Sequence, residues 1–415
     1  MKILIISQNY EHANDSELNL IHGLMEVAEI DFYGPGYSTV EELERGLKNY
    51  WVKGKYDALI LCFALATSQI QHLNLRFEYN QYRYLMCDYS IFESIRYADK
   101  IIEEAKDIDA PKLVHYHFDT INITEPLKQC LQELLDAGFY LWALGEEFAP
   151  EVEQNENTKR TGWGEDNRYF KFCKRNVNKI ISMNCHVVTY REFYAAPLEK
   201  RKYDITVPGN LDANYYPDRE KIVNQFKETK YKMYNDYRNR VLAYKDDDRR
   251  IENTLYKRDE DKIIDTKLKL PCSYLNVATK RETIAYWRES YNVGLRSSKM
   301  AYADGGVALQ IVRKYLEIPA RGTLLLCQDI PPLSCFGFKP WENMVPVTPD
   351  SVLEVCDYLY ENPDKMQTIA TEGRKMVFSK HSPSIYAKHI IDAINVIKKG
   401  RFKGSYWLDG EFYIN

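Results

Sequence analysis

The first half of the chain alternates short apolar runs with amphipathic helical patterns, and this alternation restricts the fold more than any other feature. The apolar runs predict strands at Lys2–Ser7, Glu29–Tyr33, Asp57–Phe63, Lys112–Phe118 and Phe139–Leu144. The patterns between them predict helices at Ser16–Val27, Val40–Trp51, Ile91–Lys106 and Thr124–Leu135. Strands that alternate with helices indicate βαβ units and a parallel sheet. Such sheets bind ligands at the carboxyl ends of their strands.

The second half begins the same alternation again. Predicted strands lie at Asp204–Val207, Lys267–Leu270, Gly294–Met300 and Thr323–Cys327. Predicted helices lie at Asp218–Tyr244, Ser351–Tyr360, Lys365–Ser379 and Ser384–Lys398. Because 415 residues are too many for one hydrophobic core, we predict an α/β protein with two Rossmann-like domains, residues 1–200 and 201–395. We expect the tail, residues 396–415, to pack back on the first domain.

Residues 309–328 combine charge with a helix-to-strand transition. A short helix carries Arg313, Lys314 and Glu317, ends at Pro319, and turns on Gly322 into the strand. Two cations placed before a carboxylate suit a sugar nucleotide, because the cations can clamp a diphosphate while the carboxylate binds the ribose diol. The alternative is an ordinary ion pair of Glu317 with one of the two cations on an exposed helix face.

Three further segments carry candidate binding residues. Gly209 follows a predicted strand, where a glycine lets backbone N–H groups approach a phosphate, although a simple turn explains it too. Arg219 is either a phosphate contact or an exposed helix residue. Ser298 and Lys299 lie in a strand-like segment and can bind a diphosphate, whereas the alternative for Lys299 is an edge-strand lysine that discourages aggregation.

The order and spacing of several segments resemble the C-terminal half of GT-B glycosyltransferases. These segments are Lys-Tyr-Asp-Ile-Thr-Val-Pro-Gly-Asn at 202–210, Tyr-Tyr-Pro-Asp-Arg at 215–219, residues 286–302, Glu-Asn-Pro-Asp-Lys at 361–365 and Lys-His-Ser at 380–382. The branch with the greatest similarity is the CgeB-like one, related to glycosyltransferase family 4. The resemblance covers about residues 202–395. It implies the GT-B fold, in which two Rossmann-like domains face a central cleft, with the donor bound by the second domain and the acceptor by the first.

The resemblance also implies a set of nucleotide-sugar-binding residues: Gly209, Asn210, Arg219, Ser298, Lys299, Arg313, Lys314, Glu317, Gly322 and Thr323. Glu317 matches the second glutamate of the Glu-x7-Glu pattern of the family. The first glutamate is absent, because Leu309 lies eight residues earlier. This departure leaves open how the donor sugar is held and whether configuration is retained or inverted.

For a general base we consider the end of the predicted strand Lys112–Phe118. Strand alternation places His115, His117 and Asp119 on one face, and His117 or Asp119 can deprotonate an acceptor hydroxyl. The alternative is that these side chains hold the loop by hydrogen bonds. Glu11 and His12 in the first loop are second candidates.

Composition and local motifs argue against polyanion binding, a membrane span and a metal site. A net charge of −4 gives no basic field for a polyanion, and none of the nine cysteines forms a C-x-x-C pair. No predicted segment opens the chain as a secretion signal or is long enough to span a membrane, so we expect a cytoplasmic protein. Asp246-Asp247-Asp248 is flanked by Lys245 and Arg249 and is typical of a solvated loop. We therefore predict no metal site.

The predicted activity is transfer of a sugar from a UDP-, GDP- or dTDP-linked donor to a polysaccharide, protein or modified-nucleobase acceptor. The nucleotide-sugar is a co-substrate, and we expect no cofactor. The sequence leaves the oligomeric state open. The alternative is a catalytically silent GT-B scaffold in a coat or assembly, which the missing first glutamate keeps open.

Overall fold

A computed structural model describes most of both halves of the chain. The described residues are 1–7, 15–34, 37–62, 97, 100–115, 125–148, 168–183, 188, 193, 196–209, 211, 216–234 and 291–415. Within these ranges the strands form two separate parallel sheets and one antiparallel hairpin. None of the helices in these ranges combines the length and apolar character that crossing a bilayer requires.

The first sheet is built from the first half of the chain. Its strands are β1 (Lys2–Ile6), β2 (Glu29–Tyr33), β3 (Ala58–Cys62), β4 (Lys112–His115), β5 (Phe139–Ala143) and β6 (Ile180–Ser182). They pair in parallel in the order β2-β1-β3-β4-β5-β6. The associated helices are α1 (Asp15–Val27), α2 (Val40–Arg45), α3 (Leu47–Tyr50), α4 (Glu125–Asp136) and α5 (Arg168–Arg175). Every residue of β3 is buried, as expected for a parallel strand covered on both faces.

The second sheet repeats this arrangement. Its strands are β7 (Tyr203–Thr206), β8 (Met233–Tyr234), β9 (Ser298–Ala303), β10 (Leu324–Cys327) and β11 (Val345–Pro346). They pair in parallel in the order β11-β10-β9-β7-β8. The helices are α6 (Pro217–Gln225), α7 (Lys314–Ala320), α8 (Val352–Glu361) and α9 (Pro363–His381). The predicted fold class, α/β with two Rossmann-like domains, is confirmed.

The C-terminal segment returns to the first sheet. Helix α10 (Pro383–Lys398) packs on α1 so closely that a Cβ at Gly23 would lie 2.3 Å from the carbonyl oxygen of Pro383. Lys398 of α10 also forms a 2.7 Å ion pair with Asp57. The hairpin of β12 (Ser405–Leu408) and β13 (Glu411–Ile414) follows. The Trp407 indole donates a 2.9 Å hydrogen bond to the carbonyl of Ser182, so the hairpin covers the β6 edge of the first sheet.

Several predicted element boundaries are wrong. The helix predicted over Asp218–Tyr244 ends at Gln225, and Met233–Tyr234 further along forms the short strand β8. The helix predicted over Val40–Trp51 is divided at Gly46, whose φ is 89°. Helix α7 continues one residue past Pro319. The predicted strand Lys267–Leu270 lies outside the described residues.

One boundary error affects the site. Residues 291–297 are helical, and β9 begins only at Ser298 rather than at Gly294. The Ser297 hydroxyl bonds the Val293 carbonyl four residues earlier, a contact of helical geometry. The start of β9 therefore lies four residues later than the sequence pattern predicts.

Candidate functional site

Three charged residues, Arg219, Asp304 and Lys314, meet near Gly209 at the carboxyl ends of the strands of the second sheet. Gly209 follows β7 and Asp304 follows β9 directly, while Arg219 comes from α6 and Lys314 begins α7. Because β7 and β9 are parallel neighbours, their carboxyl ends lie side by side. This edge is where sheets of this type bind ligands.

Arg219 and Asp304 form a buried ion pair. The Nε and Nη2 atoms of Arg219 each lie 2.7 Å from Oδ1 of Asp304, and both residues are 1% exposed. The guanidinium also lies over the ring of Tyr216, 3.4 Å from its centroid. Burial raises the pKa of Asp304, and Arg219 partly offsets that rise. Among the described residues, Oδ2 of Asp304 has no hydrogen-bond partner.

Gly209 is the point at which two cations approach the backbone. Its φ of 102° lies in the region that favours glycine. A Cβ at this position would lie 2.9 Å from Nζ of Lys314 and 3.0 Å from Nη1 of Arg219. A larger residue would therefore occupy the space beside both cationic groups.

Lys314 is a desolvated cation next to a second cation. Burial, together with the charge of Arg219, lowers the pKa of Lys314 to about 7, while Glu317 and Asp304 act in the opposite direction. A bound anion would favour the protonated ammonium and relieve this repulsion. The cluster of Gly209, Arg219, Asp304 and Lys314, hereafter the cation cluster, therefore has the charge and shape of an anion site.

Glu317 lies one turn further along α7 and is engaged on both carboxylate oxygens. Nε of Arg313 lies 2.7 Å from its Oε1, and the Tyr291 hydroxyl donates to Oε2 at 2.5 Å. Burial and the carboxylate raise the pKa of Tyr291 far above its usual value. The ion pair considered from the sequence is thus formed, but Glu317 is only 6% exposed and does not lie on a solvated helix face.

Four predicted binding residues lie at the opposite, amino-terminal edge of the second sheet: Ser298, Lys299, Gly322 and Thr323. Lys299 forms a 3.0 Å ion pair with Asp204 and bonds the Tyr360 hydroxyl. Ser298, Gly322 and Thr323 each accept a hydrogen bond from the buried guanidinium of Arg201. The structure therefore does not bring these four residues to the cation cluster.

The first domain contributes less to the described geometry. Its candidates His117, Asp119, Glu11 and His12 lie outside the described residues, as does Asn210 of the second domain. His115 ends β4 and packs against Trp142, with ring centroids 4.7 Å apart. Burial lowers the pKa of His115 to about 3, so its imidazole is neutral at ordinary pH.

Sequence reasoning missed three residues of these networks. Asp304 could have been found, because it follows β9 directly at the edge that binds ligands. Tyr291 and Arg201 carry no such signal, since their contacts depend on the packing of distant segments. Among the described residues, no group of three or more His, Cys, Asp or Glu side chains is arranged to hold a metal ion. Asp246, Asp247 and Asp248 lie outside the described residues.

Several solved structures of known proteins are similar to this one. No protein-family model and no curated protein sequence matches the chain. The structure is similar to Anabaena Alr3699/HepE solved with UDP, with 9% identity, a TM-score of 0.49, and coverage of 95% of this chain and 100% of that one. It is similar to sucrose-phosphate synthase of Thermosynechococcus elongatus, with 12% identity, a TM-score of 0.49, and coverage of 96% and 100%.

A third similar structure is the DNA-modifying enzyme β-glucosyltransferase, with 11% identity, a TM-score of 0.46, and coverage of 95% of this chain and 100% of that one. All three similarities extend over at least 95% of this chain, and the two parallel sheets with their helices agree with the predicted fold class.

Proposed function

We propose that this chain is a glycosyltransferase that binds the diphosphate of a nucleotide-sugar at the cation cluster. The observation that carries the proposal is the convergence of Lys314 and Arg219 on Gly209 at the carboxyl edge of the second sheet. Two cations beside a glycine fit a diphosphate, which offers several anionic oxygens at close spacing. The sequence resemblance to CgeB-like GT-B enzymes supports the same assignment.

The cluster is suited to stabilise a leaving group. As the bond between the sugar and the diphosphate breaks, negative charge builds up on the diphosphate oxygens. Lys314 and Arg219 are already in place to meet that charge without rearrangement. Asp304 fixes the guanidinium through its ion pair at 2.7 Å, so Arg219 keeps its direction when no ligand is bound.

Arg313 and Glu317 form the second part of the proposed donor site. Glu317 binds the ribose or the sugar of the donor, and Arg313 and Tyr291 hold its carboxylate in position. For the acceptor hydroxyl, we propose His117 or Asp119 of the first domain as the general base. The donor thus belongs to residues 201–395 and the acceptor to residues 1–200.

We further propose that transfer is independent of metal ions, because two protein cations already meet the charge of the diphosphate. The donor is UDP-, GDP- or dTDP-linked, and the acceptor is a glycan, a protein or a modified nucleobase. The reaction takes place in the cytoplasm.

Titration of the full chain with UDP-, GDP- and dTDP-glucose in EDTA tests this proposal. We expect one donor to bind and to raise the melting temperature, and Lys314→Met to abolish the rise. Lys299→Met is a matched control, because it removes a lysine from the opposite edge of the same sheet. A chain that binds none of the donors, or that binds only when manganese is added, would contradict the proposed site. Absence of all donor binding is the result expected of a silent scaffold.

Slow hydrolysis of the bound donor provides the activity measurement, since it requires no knowledge of the acceptor. We expect hydrolysis by the wild-type chain and none by Glu317→Ala. Unchanged hydrolysis in Glu317→Ala would leave Glu317 with its ion-pair role alone.

A further inference from the structure

An open cleft on the second domain lies apart from the cation cluster. Trp341, Glu354, Val355 and Tyr358 line it, and its volume is about 360 Å³. Trp341 lies in the loop between β10 and β11, whereas the other three residues lie on α8. Small-molecule sites have volumes of roughly 300–1,000 Å³, so this cleft accommodates a small unit of a larger ligand.

The cleft lies on the side of the second sheet that faces away from the first domain. Trp341 and Val355 pack on the apolar cluster between the sheet and helices α6 and α8. The core of the first domain is continuous with the other face of the sheet, through α7 and α9. A ligand in the cleft therefore lies outside the region where the two domains meet.

Trp341 adopts an unusual backbone conformation to reach the cleft. Its φ of 63° is in the left-handed region, where glycine and asparagine are the common residues. The turn is held by a 2.7 Å hydrogen bond from the Trp341 N–H to the Met344 carbonyl. The side chain of Asn343 braces the loop through bonds to Lys339 and Gly337. A turn alone does not require tryptophan, and strain of this kind is concentrated at ligand-binding positions.

The chemistry of the lining selects a class of ligand. The rings of Trp341 and Tyr358 meet edge to face with centroids 5.7 Å apart, and Tyr358 is 45% exposed. Among the described residues, the Trp341 indole N–H, the Tyr358 hydroxyl and the Glu354 carboxylate have no hydrogen-bond or ion-pair partner. Two donors, an acceptor and two aromatic surfaces complement a hexose, which has apolar C–H faces and a rim of hydroxyl groups.

Charge excludes the main competing ligands. Glu354, Asp357 and Glu361 all lie on α8, and among the residues that the structure describes only Asp357 is paired with a lysine, Lys230. This acidic surface repels phosphates, nucleic acids and acidic glycans. We propose that the cleft of Trp341, Tyr358 and Glu354 is a binding site for a neutral hexose glycan, separate from the site of sugar transfer.

The test is titration of the full chain with maltohexaose, cellohexaose, laminarihexaose and mannohexaose, followed by tryptophan fluorescence and calorimetry. We expect at least one of them to bind with a Kd of about 1 mM or tighter. Trp341→Ala and Tyr358→Ala should each weaken that binding at least about ten-fold, and Glu354→Lys should do the same. Tyr413→Ala is the matched control, because Tyr413 is 42% exposed and lies on the C-terminal hairpin.

Three outcomes would overturn the inference. The first is that none of the four glycans binds at millimolar concentration. The second is that binding persists unchanged in both aromatic variants, which would place the glycan elsewhere. The third is that Tyr358→Ala converts a dimer into a monomer, which would make the cleft a contact between copies. The inference does not depend on the proposed transfer activity, because glycan binding should be unchanged in Lys314→Met.

Discussion

Two buried arginines at opposite edges of the second sheet show how the same side chain serves different purposes. Arg201, at the amino-terminal edge, is 6% exposed, and Arg219, at the carboxyl edge, is 1% exposed. Arg201 donates hydrogen bonds to neutral oxygens of the surrounding chain: the carbonyls of Ala196, Leu295, Ser298, Arg321 and Gly322 and the hydroxyl of Thr323. Arg219 instead directs both Nε and Nη2 at one carboxylate oxygen, Oδ1 of Asp304. It also lies beside a second cation, Lys314.

The difference lies in what each arginine is bonded to. Arg201 joins the segments that precede β7, β9 and β10, so its bonds belong to the fold. At Arg219 the neighbouring Lys314 has a pKa lowered to about 7, and Asp304 has a raised pKa and an oxygen without a partner among the described residues. Perturbed groups of this kind are typical of functional sites. Burial alone therefore does not separate a structural arginine from a functional one.

The largest expected effect is that of Arg201→Met. Each buried acceptor left without its donor costs about 1–3 kcal/mol, so we expect a loss of about 3–5 kcal/mol in the free energy of unfolding. Urea unfolding measures this loss. Lys202→Met is the control, because Lys202 is the exposed neighbour in sequence. Equal stability of the two variants would mean that the hydrogen bonds of Arg201 do not hold the sheet together.

In contrast to Arg201→Met, Lys314→Met should weaken donor binding without a loss of stability. Loss of one charge-assisted contact to the diphosphate should cost about 1.5–3 kcal/mol, or roughly 10- to 150-fold in Kd. Stability should be maintained, because the substitution removes a desolvated charge that the neighbouring Arg219 repels. Calorimetric titration with the donor and a melting curve measure the two quantities. A variant that melts earlier but binds normally would make Lys314 a structural residue.

Raising the pH should weaken donor binding by somewhat less than Lys314→Met does. Because the diphosphate binds the protonated form of Lys314, whose pKa is about 7 in the free chain, affinity should fall as the pH rises above about 7. The limit is about ten-fold, or 1.4 kcal/mol, per pH unit. The charged groups that face Lys314 are Arg219, Arg313, Glu317 and Asp304. Lys314→Arg should bind with a flat profile, since arginine stays protonated, and an equally steep profile in that variant would assign the titration to another group.

The smallest expected effect is that of Lys299→Ala. Lys299 pairs with Asp204 at the amino-terminal edge, and partly exposed ion pairs contribute only about 0.2–1 kcal/mol to stability. Donor affinity should change less than about two-fold, which is under 0.5 kcal/mol. A ten-fold loss of affinity would instead extend the donor site to the amino-terminal edge and remove the contrast between the two edges.

The sequence predicted the sheets well because buried parallel strands are short apolar runs, as β1, β3 and β10 are. It also predicted three members of the cation cluster, Gly209, Arg219 and Lys314, although not that Asp304 would join them. The rule that ligands bind at strand ends is local enough to be applied to a sequence.

The predictions at the amino-terminal edge depended on a boundary that the sequence does not determine. If β9 covered Gly294–Met300, Lys299 would lie near its carboxyl end, but the strand begins at Ser298. Residues 291–297 were predicted in part as strand but form a helix. Arg201 and Thr323 both donate hydrogen bonds to the carbonyl of Leu295 in this helix. Such tertiary contacts are not visible in a local pattern.

The return of α10 and the C-terminal hairpin to the first sheet has a consequence for synthesis on the ribosome. All residues of the second sheet are translated after β6 and before α10. During that interval α1 lacks the helix against which it packs, and the β6 edge lacks the hairpin that covers it. Translation of the first domain thus begins before that of the second domain and is completed only after it, by α10 and the hairpin. The nascent chain therefore exposes an open strand edge for as long as translation of the second domain lasts, a period in which such chains are prone to associate with one another.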